Sequence, residues 1–155
     1  MGDSIKQITF FGIIVLLFIL VIDFKRVSVA KLEVKNALNI SVKAATLQTD
    51  LNPDKIGNGI FEIDSVKSTE IFKEYLKLNT PSNVSIDIRD CKAINPQENQ
   101  VIEYVTEDGN KVSFNKPTYV AQLKITTKTT FVTHTFKIDS LSAGQVIDLY
   151  KQKGN

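Results

Sequence analysis

Residues 8–22 read ITFFGIIVLLFILVI, fifteen positions without a charge and with only Thr9 and Gly12 set among large apolar side chains. A lipid bilayer or a translocon is the environment that suits such a run. Ile8, Phe10, Phe11, Ile13, Ile14, Val15, Leu16, Leu17, Phe18, Ile19, Leu20, Val21 and Ile22 are therefore the expected membrane anchor. Wound as a helix, this run rises about 22 Å, short of the ~30 Å of hydrocarbon in a bilayer. The span must then extend from Ile5 to Phe24, with Lys6 and Asp23 reaching towards the two interfaces.

A cleaved signal peptide is the rival reading, because Ser28-Val29-Ala30 has the small-x-small form of a processing site. Two features favour retention. Asp23, Lys25 and Arg26 put charge between the apolar run and that site, and the residues ahead of the run balance Asp3 against Lys6. Lys25, Arg26, Lys31 and Lys35 outnumber Lys6 and the amino terminus, a bias that by itself places the following residues in the cytoplasm.

Between Gly12 and Gly57 the only helix breaker is Pro53, so one helix is expected to leave the membrane and run to about Thr49. Past Phe24 it carries two apolar stripes on roughly opposite sides. One holds Val27, Ala30, Val34, Ala37, Leu38, Ser41, Val42 and Ala45; the other holds Val29, Leu32, Ile40 and Leu47. Two stripes call for two partners, the chain's own domain and a neighbouring subunit. Small residues permit close helix approach, which assigns the contact with a partner helix to Val27, Ala30, Val34, Ala37, Leu38, Ser41 and Ala45. Burial of both stripes within one domain is the alternative.

In a chain of 155 residues this division gives an anchor over 1–24, a helical stalk over 25–50 and one α+β domain over 51–155. Asp64 or Ser65 caps a second helix whose apolar side is Val66, Ile71, Phe72, Tyr75, Leu76 and Leu78, and Asn79-Thr80-Pro81 ends it. The period then changes to two. Val84, Ile86 and Ile88 alternate with Ser85, Asp87 and Arg89, and Tyr119, Ala121, Leu123 and Ile125 alternate with Val120, Gln122, Lys124 and Thr126. Between these strands, residues 101–106 and 111–114 flank Glu107-Asp108-Gly109-Asn110, a hairpin turn signal. A further turn through Lys128 and Thr129 leads to Val132, His134, Phe136 and Ile138, and residues 142–152 suit a short helix. The expected fold is α+β: a long N-terminal helix, one further helix and an antiparallel meander of about five strands.

Chemistry is poorly supplied. His134 is the sole histidine and Cys91 the sole cysteine, which excludes an intrachain disulfide and leaves zinc sites and nucleophile–base pairs without partners. No glycine-rich phosphate loop occurs. Asp87 and Asp90 with Glu103 or Glu107 read as a solvated sheet face before they read as a cation site. A net charge of +2, with the basic residues dispersed, does not fit a nucleic-acid partner. The expectation is a protein with no catalytic, cofactor-binding or metal-binding residues and no small-molecule substrate.

The stretches ALNISVKAATLQTD, GNGIFEID, SVKSTEIFKEYLKLN and SFNKPTYVAQLKI together resemble small TadE-like or pilin-like proteins of Gram-positive bacteria, associated with pilus assembly. The resemblance implies a long helix, half in the membrane, beneath an antiparallel sheet held outside the cytoplasm. It implies an accessory subunit of a pilus or secretion system, with membrane lipid and other pilin-like or assembly-platform subunits as partners; a secreted or membrane-tethered non-enzymatic binding module, freed after Ala30 in the secreted case, is the alternative. Type IV pilins carry a basic leader ending in glycine and an early glutamate in the apolar helix. Here Gly2 precedes Asp3 and no acid lies within residues 8–22, so architecture carries over and leader processing does not.

Overall fold

The computed structural model describes residues 2–58, 60–106, 109–128 and 133–140, the last segment and residues 2 and 3 by backbone alone. Helix α1 (Gly2–Thr46) is continuous through the apolar run and the proposed processing site. It is followed by α2 (Pro53–Gly57), α3 (Ser65–Asn79), β1 (Val84–Ile94), β2 (Ile102–Val105), β3 (Lys111–Phe114), β4 (Thr118–Lys128) and β5 (Thr133–Ser140). The class is α+β, as the periodicities indicate. The expected short helix over 142–152 lies outside the described residues, as do Glu107 and Asp108 of the first hairpin turn.

Local chemistry explains the helix boundaries. Asp64 accepts hydrogen bonds from the backbone N–H groups of Val66 and Lys67, capping α3, and Pro81 prevents its continuation. The Leu51-Asn52-Pro53-Asp54 break also starts a helix, which the sequence reading does not anticipate. Asn52 caps α2 by accepting from the N–H of Asp54, and Pro53 occupies a first-turn position where its missing N–H costs nothing.

The expected single meander is replaced by two antiparallel sheets: three strands in the order β1-β4-β5, and the β2-β3 pair. The long strands pair with each other, Val84 opposite Thr127 and Ile94 opposite Thr118, so the chain between them must leave the sheet. It returns over the sheet's other side. A bulge between Ile88 and Asp90 reverses the parity of β1: Val84, Ile86 and Ile88 face the main core before it, Cys91 and Ala93 after it. Ile94 is thereby turned to the opposite face, where it packs with Val120, Tyr104 and Phe114 under the β2-β3 hairpin. Hence Val120 and Gln122, assigned to the outer face by alternation, are buried as fully as Tyr119 and Ala121. Gly109, with φ of 80°, supplies the left-handed residue of the hairpin turn.

The main core joins Val34, Ala37, Leu38, Val42 and Ala45 of α1 to Ile63, to Phe72 and Leu76 of α3, and to Tyr119, Ala121, Leu123 and Ile125 of β4. The rings of Phe72 and Tyr119 lie 5.4 Å apart, tilted by 42°. Ser41 and Thr46 enter this apolar side of α1 because their hydroxyls donate to the carbonyls of Ala37 and Val42 one turn back. On α3, Val66 and Leu78 are exposed instead of joining the apolar side. Each is six residues from Phe72, or roughly 120° around the helix from the buried line.

The far end of α1 is closed by a short antiparallel contact. Thr49 pairs with Ile63, the N–H of Asp50 donates to the Glu62 carbonyl, and that of Asp64 donates to the Gln48 carbonyl. Asn95 extends this contact to the sheet: its amide accepts from the Ile63 N–H and donates to the Ile63 carbonyl, both at 2.9 Å. Lys55 ties the same corner together, 2.8 Å from Asp50 and 2.6 Å from Glu62. The hydrogen bond from Lys55 holds the Asp50 carboxyl below its usual pKa, and the two carboxylates raise that of Lys55.

Three outcomes follow from this packing. Phe72→Ala should cost about 3–5 kcal/mol in thermal or urea unfolding. Ala45→Glu should cost on the order of several kcal/mol by burying a carboxylate, a large part of the ~5–15 kcal/mol of a small domain. Lys55→Met should lower the melting temperature at neutral pH. Because Asp50 has a depressed folded pKa, its contribution is present above 3.8 and lost as pH falls through the folded value, so the difference should close in acid. It should also close as pH rises past the folded pKa of Lys55, which lies above 10.5.

Candidate functional site

The surface most unlike that of an ordinary soluble domain lies along α1. The helix is long and apolar enough to cross a membrane, and none of its most apolar window is buried; a signal sequence near an N-terminus meets the same description. Ile8, Phe10, Phe11, Ile13, Val15, Leu16, Leu17, Phe18, Leu20, Val21 and Ile22 are all exposed, while Ile14 and Ile19 are half-buried. Asp23 does not reach outward as expected. It is 5% exposed, on the side of the helix that also carries Val27, Ala30 and Val34.

Above the apolar run the two stripes have different fates. Ala30, Val34, Ala37, Leu38, Ser41 and Ala45 are each at most 1% exposed, and Val27 is half-buried. The assignment of this stripe to a neighbouring subunit is thereby corrected. From Val34 to Ala45 it is the seat of the chain's own α3 and β4. Small side chains serve close approach here too, but the approaching elements are internal.

The second stripe remains open. Val29, Leu32, Ile40 and Leu47 are 45%, 59%, 47% and 79% exposed. They extend along about 27 Å of helix, continuous at the lower end with the apolar run. Lys25, Arg26, Lys31, Lys35 and Lys43 surround them, with Glu33 as the acid among them.

The other residues weighed for chemistry are placed as follows. Among the described residues no three His, Cys, Asp or Glu side chains form a group that could hold a metal ion. Of the acids weighed as a weak cation site, Glu107 lies outside the described residues and the others have neighbouring partners: Asp87 has Arg89 at 3.1 Å, Asp90 has Lys92 at 3.2 Å and the Tyr104 hydroxyl at 2.9 Å, and Glu103 has Lys111 at 3.2 Å. Lys92 also lies 4.9 Å from the centre of the Tyr104 ring. Cys91 is free and half-buried at the edge of the main core. Burial raises the pKa of Tyr119 well above the usual phenol range, so its hydroxyl stays neutral and donates to Thr69 at 3.3 Å. The His134 side chain lies outside the described residues.

Compared with protein-family models, with curated proteins and with solved structures, the chain finds no match.

Because the second stripe is already solvent-exposed, Leu32→Glu and Ile40→Glu should change the unfolding free energy of the full chain in detergent by no more than about 0.5 kcal/mol. Circular-dichroism melts check this, with Ala45→Glu as the destabilised reference.

Proposed function

We propose that this protein is a membrane-anchored, non-enzymatic accessory subunit of a pilin-like or pseudopilin-like kind. In this reading it serves a cell-surface pilus or secretion system and works through protein–protein contacts. The observation that carries the proposal is a single helix with two ends of different character. Its first half is apolar and bare, and its second half is the spine of the small α+β body while still exposing an apolar stripe.

A freely soluble binding module has no need of the exposed span, and a span used only as a tether has no need of Val29, Leu32, Ile40 and Leu47 on the surface. Docking of those residues on other pilin-like or platform subunits gives the stripe a purpose. The likeness of sequence to TadE-like and pilin-like proteins supports the same reading, and it carries the location of residues 51–155 outside the cytoplasm. The positive charge at Lys25 and Arg26 favours the opposite orientation, so orientation must be measured directly.

The test has two readouts in the host cell. The full chain is expected to retain its N-terminus by mass spectrometry and to co-isolate with pilin-like or platform subunits. Leu32→Glu and Ile40→Glu should abolish that co-isolation without lowering the melting temperature. A mature chain beginning at Lys31, or co-isolation indifferent to both substitutions, would overturn the proposal. A reporter fused after Asn155 should be active only where extracytoplasmic folding is required; cytoplasmic activity would refute the orientation.

A further inference from the structure

The height of the folded body above the apolar run follows from which residues share a surface. The body begins beside the far end of α1, where Thr49 pairs with Ile63, and α3 leads back along α1 towards the apolar run. The chain after α3 then comes to lie beside the lower part of α1. Asn83 shares a groove of about 310 Å³ with Ile22, Lys25, Arg26, Val29, Ala30 and Glu33. If hydrocarbon ends near Phe24, the headgroup layer occupies the next ~6 Å, or about four residues of helix, which is the level of Lys25 to Ser28. Asn83 is therefore at headgroup height.

The same end of the body carries the end of α3, the start of β1 and the end of β4, because Val84 pairs with Thr127. Its exposed side chains include Lys77, Leu78 and Lys128, and Leu78 is 72% exposed. With Lys25 and Arg26 on α1, four cations border this base. The acids nearest them on α1 are Asp23, which is buried, and Glu33. Two cations beside the groove on α1, and two more at the same end of the body with an exposed leucine, match an anionic phospholipid surface in charge and in polarity gradient.

We propose that the base of the body, formed by the α3–β1 turn and the end of β4, rests on the bilayer surface and binds anionic lipid headgroups through Lys25, Arg26, Lys77 and Lys128. Leu78 dips into the interface, and Asn83 lies at headgroup level beside Lys25 and Arg26, with Glu33 at the upper end of the groove. The contact holds the body at one tilt about the span, so that the stripe from Val29 to Leu47 is presented in a defined direction. This rests on the reading of α1 as a membrane anchor and holds for either orientation across the membrane.

The experiment uses the full chain with Cys91→Ala, reconstituted in vesicles of phosphatidylcholine alone or mixed with phosphatidylglycerol. Leu78→Cys and Asn83→Cys place a fluorophore at the base. Leu51→Cys places one at the far end of α1, about 36 Å of helix beyond Ile22. Headgroup-spin-labelled lipid should quench the two base positions, more strongly with phosphatidylglycerol present, and leave position 51 bright. Lys77→Glu combined with Lys128→Glu should remove the phosphatidylglycerol-dependent part while the chain stays in the vesicles after alkaline carbonate extraction. A carbonate-resistant chain whose base is no more quenched than position 51 would overturn the docking and leave the anchor standing. A base shielded from aqueous iodide yet unquenched by lipid would be covered by protein and would overturn it equally. A chain extracted by carbonate would overturn the anchor reading and the docking together.

Discussion

The fold depends on one side of α1 being covered by α3 and β4. Val34, Leu38 and Val42 are wholly buried in one cluster with Phe72, Tyr119, Leu123 and Ile125. Burial of apolar surface, at ~25 cal/mol per Å², offsets the ordering of the chain, and this is the larger of the two clusters among the described residues. Without α1, the three-stranded sheet would expose an apolar face and α3 would lose the surface it packs on. The helix is thus two things joined end to end, a candidate span and the central strut of the body. A disturbance at either half is transmitted along a rigid rod rather than through a linker.

Having the strut and the span in one helix has a geometric consequence. If the apolar run is an anchor, a body tied to it by a flexible tether would sample many heights and tilts, whereas one built around the anchor's own continuation would be held in both. Asn83 lies beside Ile22 and Arg26, at the level where the apolar run ends. The side of α1 opposite the core is then the surface that such a rigid arrangement presents to its surroundings. An exposed apolar stripe on a rigid rod is a better recognition element than the same residues on a mobile segment, because less conformational freedom is lost on contact.

The second cluster shows how a small body makes economical use of a sheet. A three-stranded sheet with one face on a helix pair leaves the other face wet, and β4, its central strand, would expose Val120 there. The bulge in β1 redirects Ile94 to that face, and the β2-β3 hairpin covers both with Tyr104 and Phe114. The salt bridges on this side, such as that between Glu103 and Lys111, are largely exposed and contribute little compared with this apolar contact. At the far corner the Asn95 amide takes the place of a strand partner for Ile63, pairing backbone groups that the end of the sheet would otherwise leave without neighbours.

By itself the sequence determined the apolar run, the continuity of the helix beyond it, the capped helix from Asp64 to the Thr80-Pro81 stop, and the period-two strands ending at Ile88 and beginning at Tyr119. Each of these is a property of consecutive residues: hydropathy, helix propensity, a capping side chain, an alternation. Only the tertiary structure decided which of the two stripes on α1 is buried. Periodicity states that a face is apolar, while burial is a relation between that face and another element. The assignment of Ala30, Val34 and Ala45 to a partner failed for that reason. Arg89 gave no sign of a bulge, since its charge suits either parity. Asn95 could be recognised as a strand surrogate only once Ile63 lay beside it, thirty-two residues away. The height of Asn83 against Ile22 and Arg26 is likewise set by two helices packed side by side, a distance that no local pattern in the chain encodes.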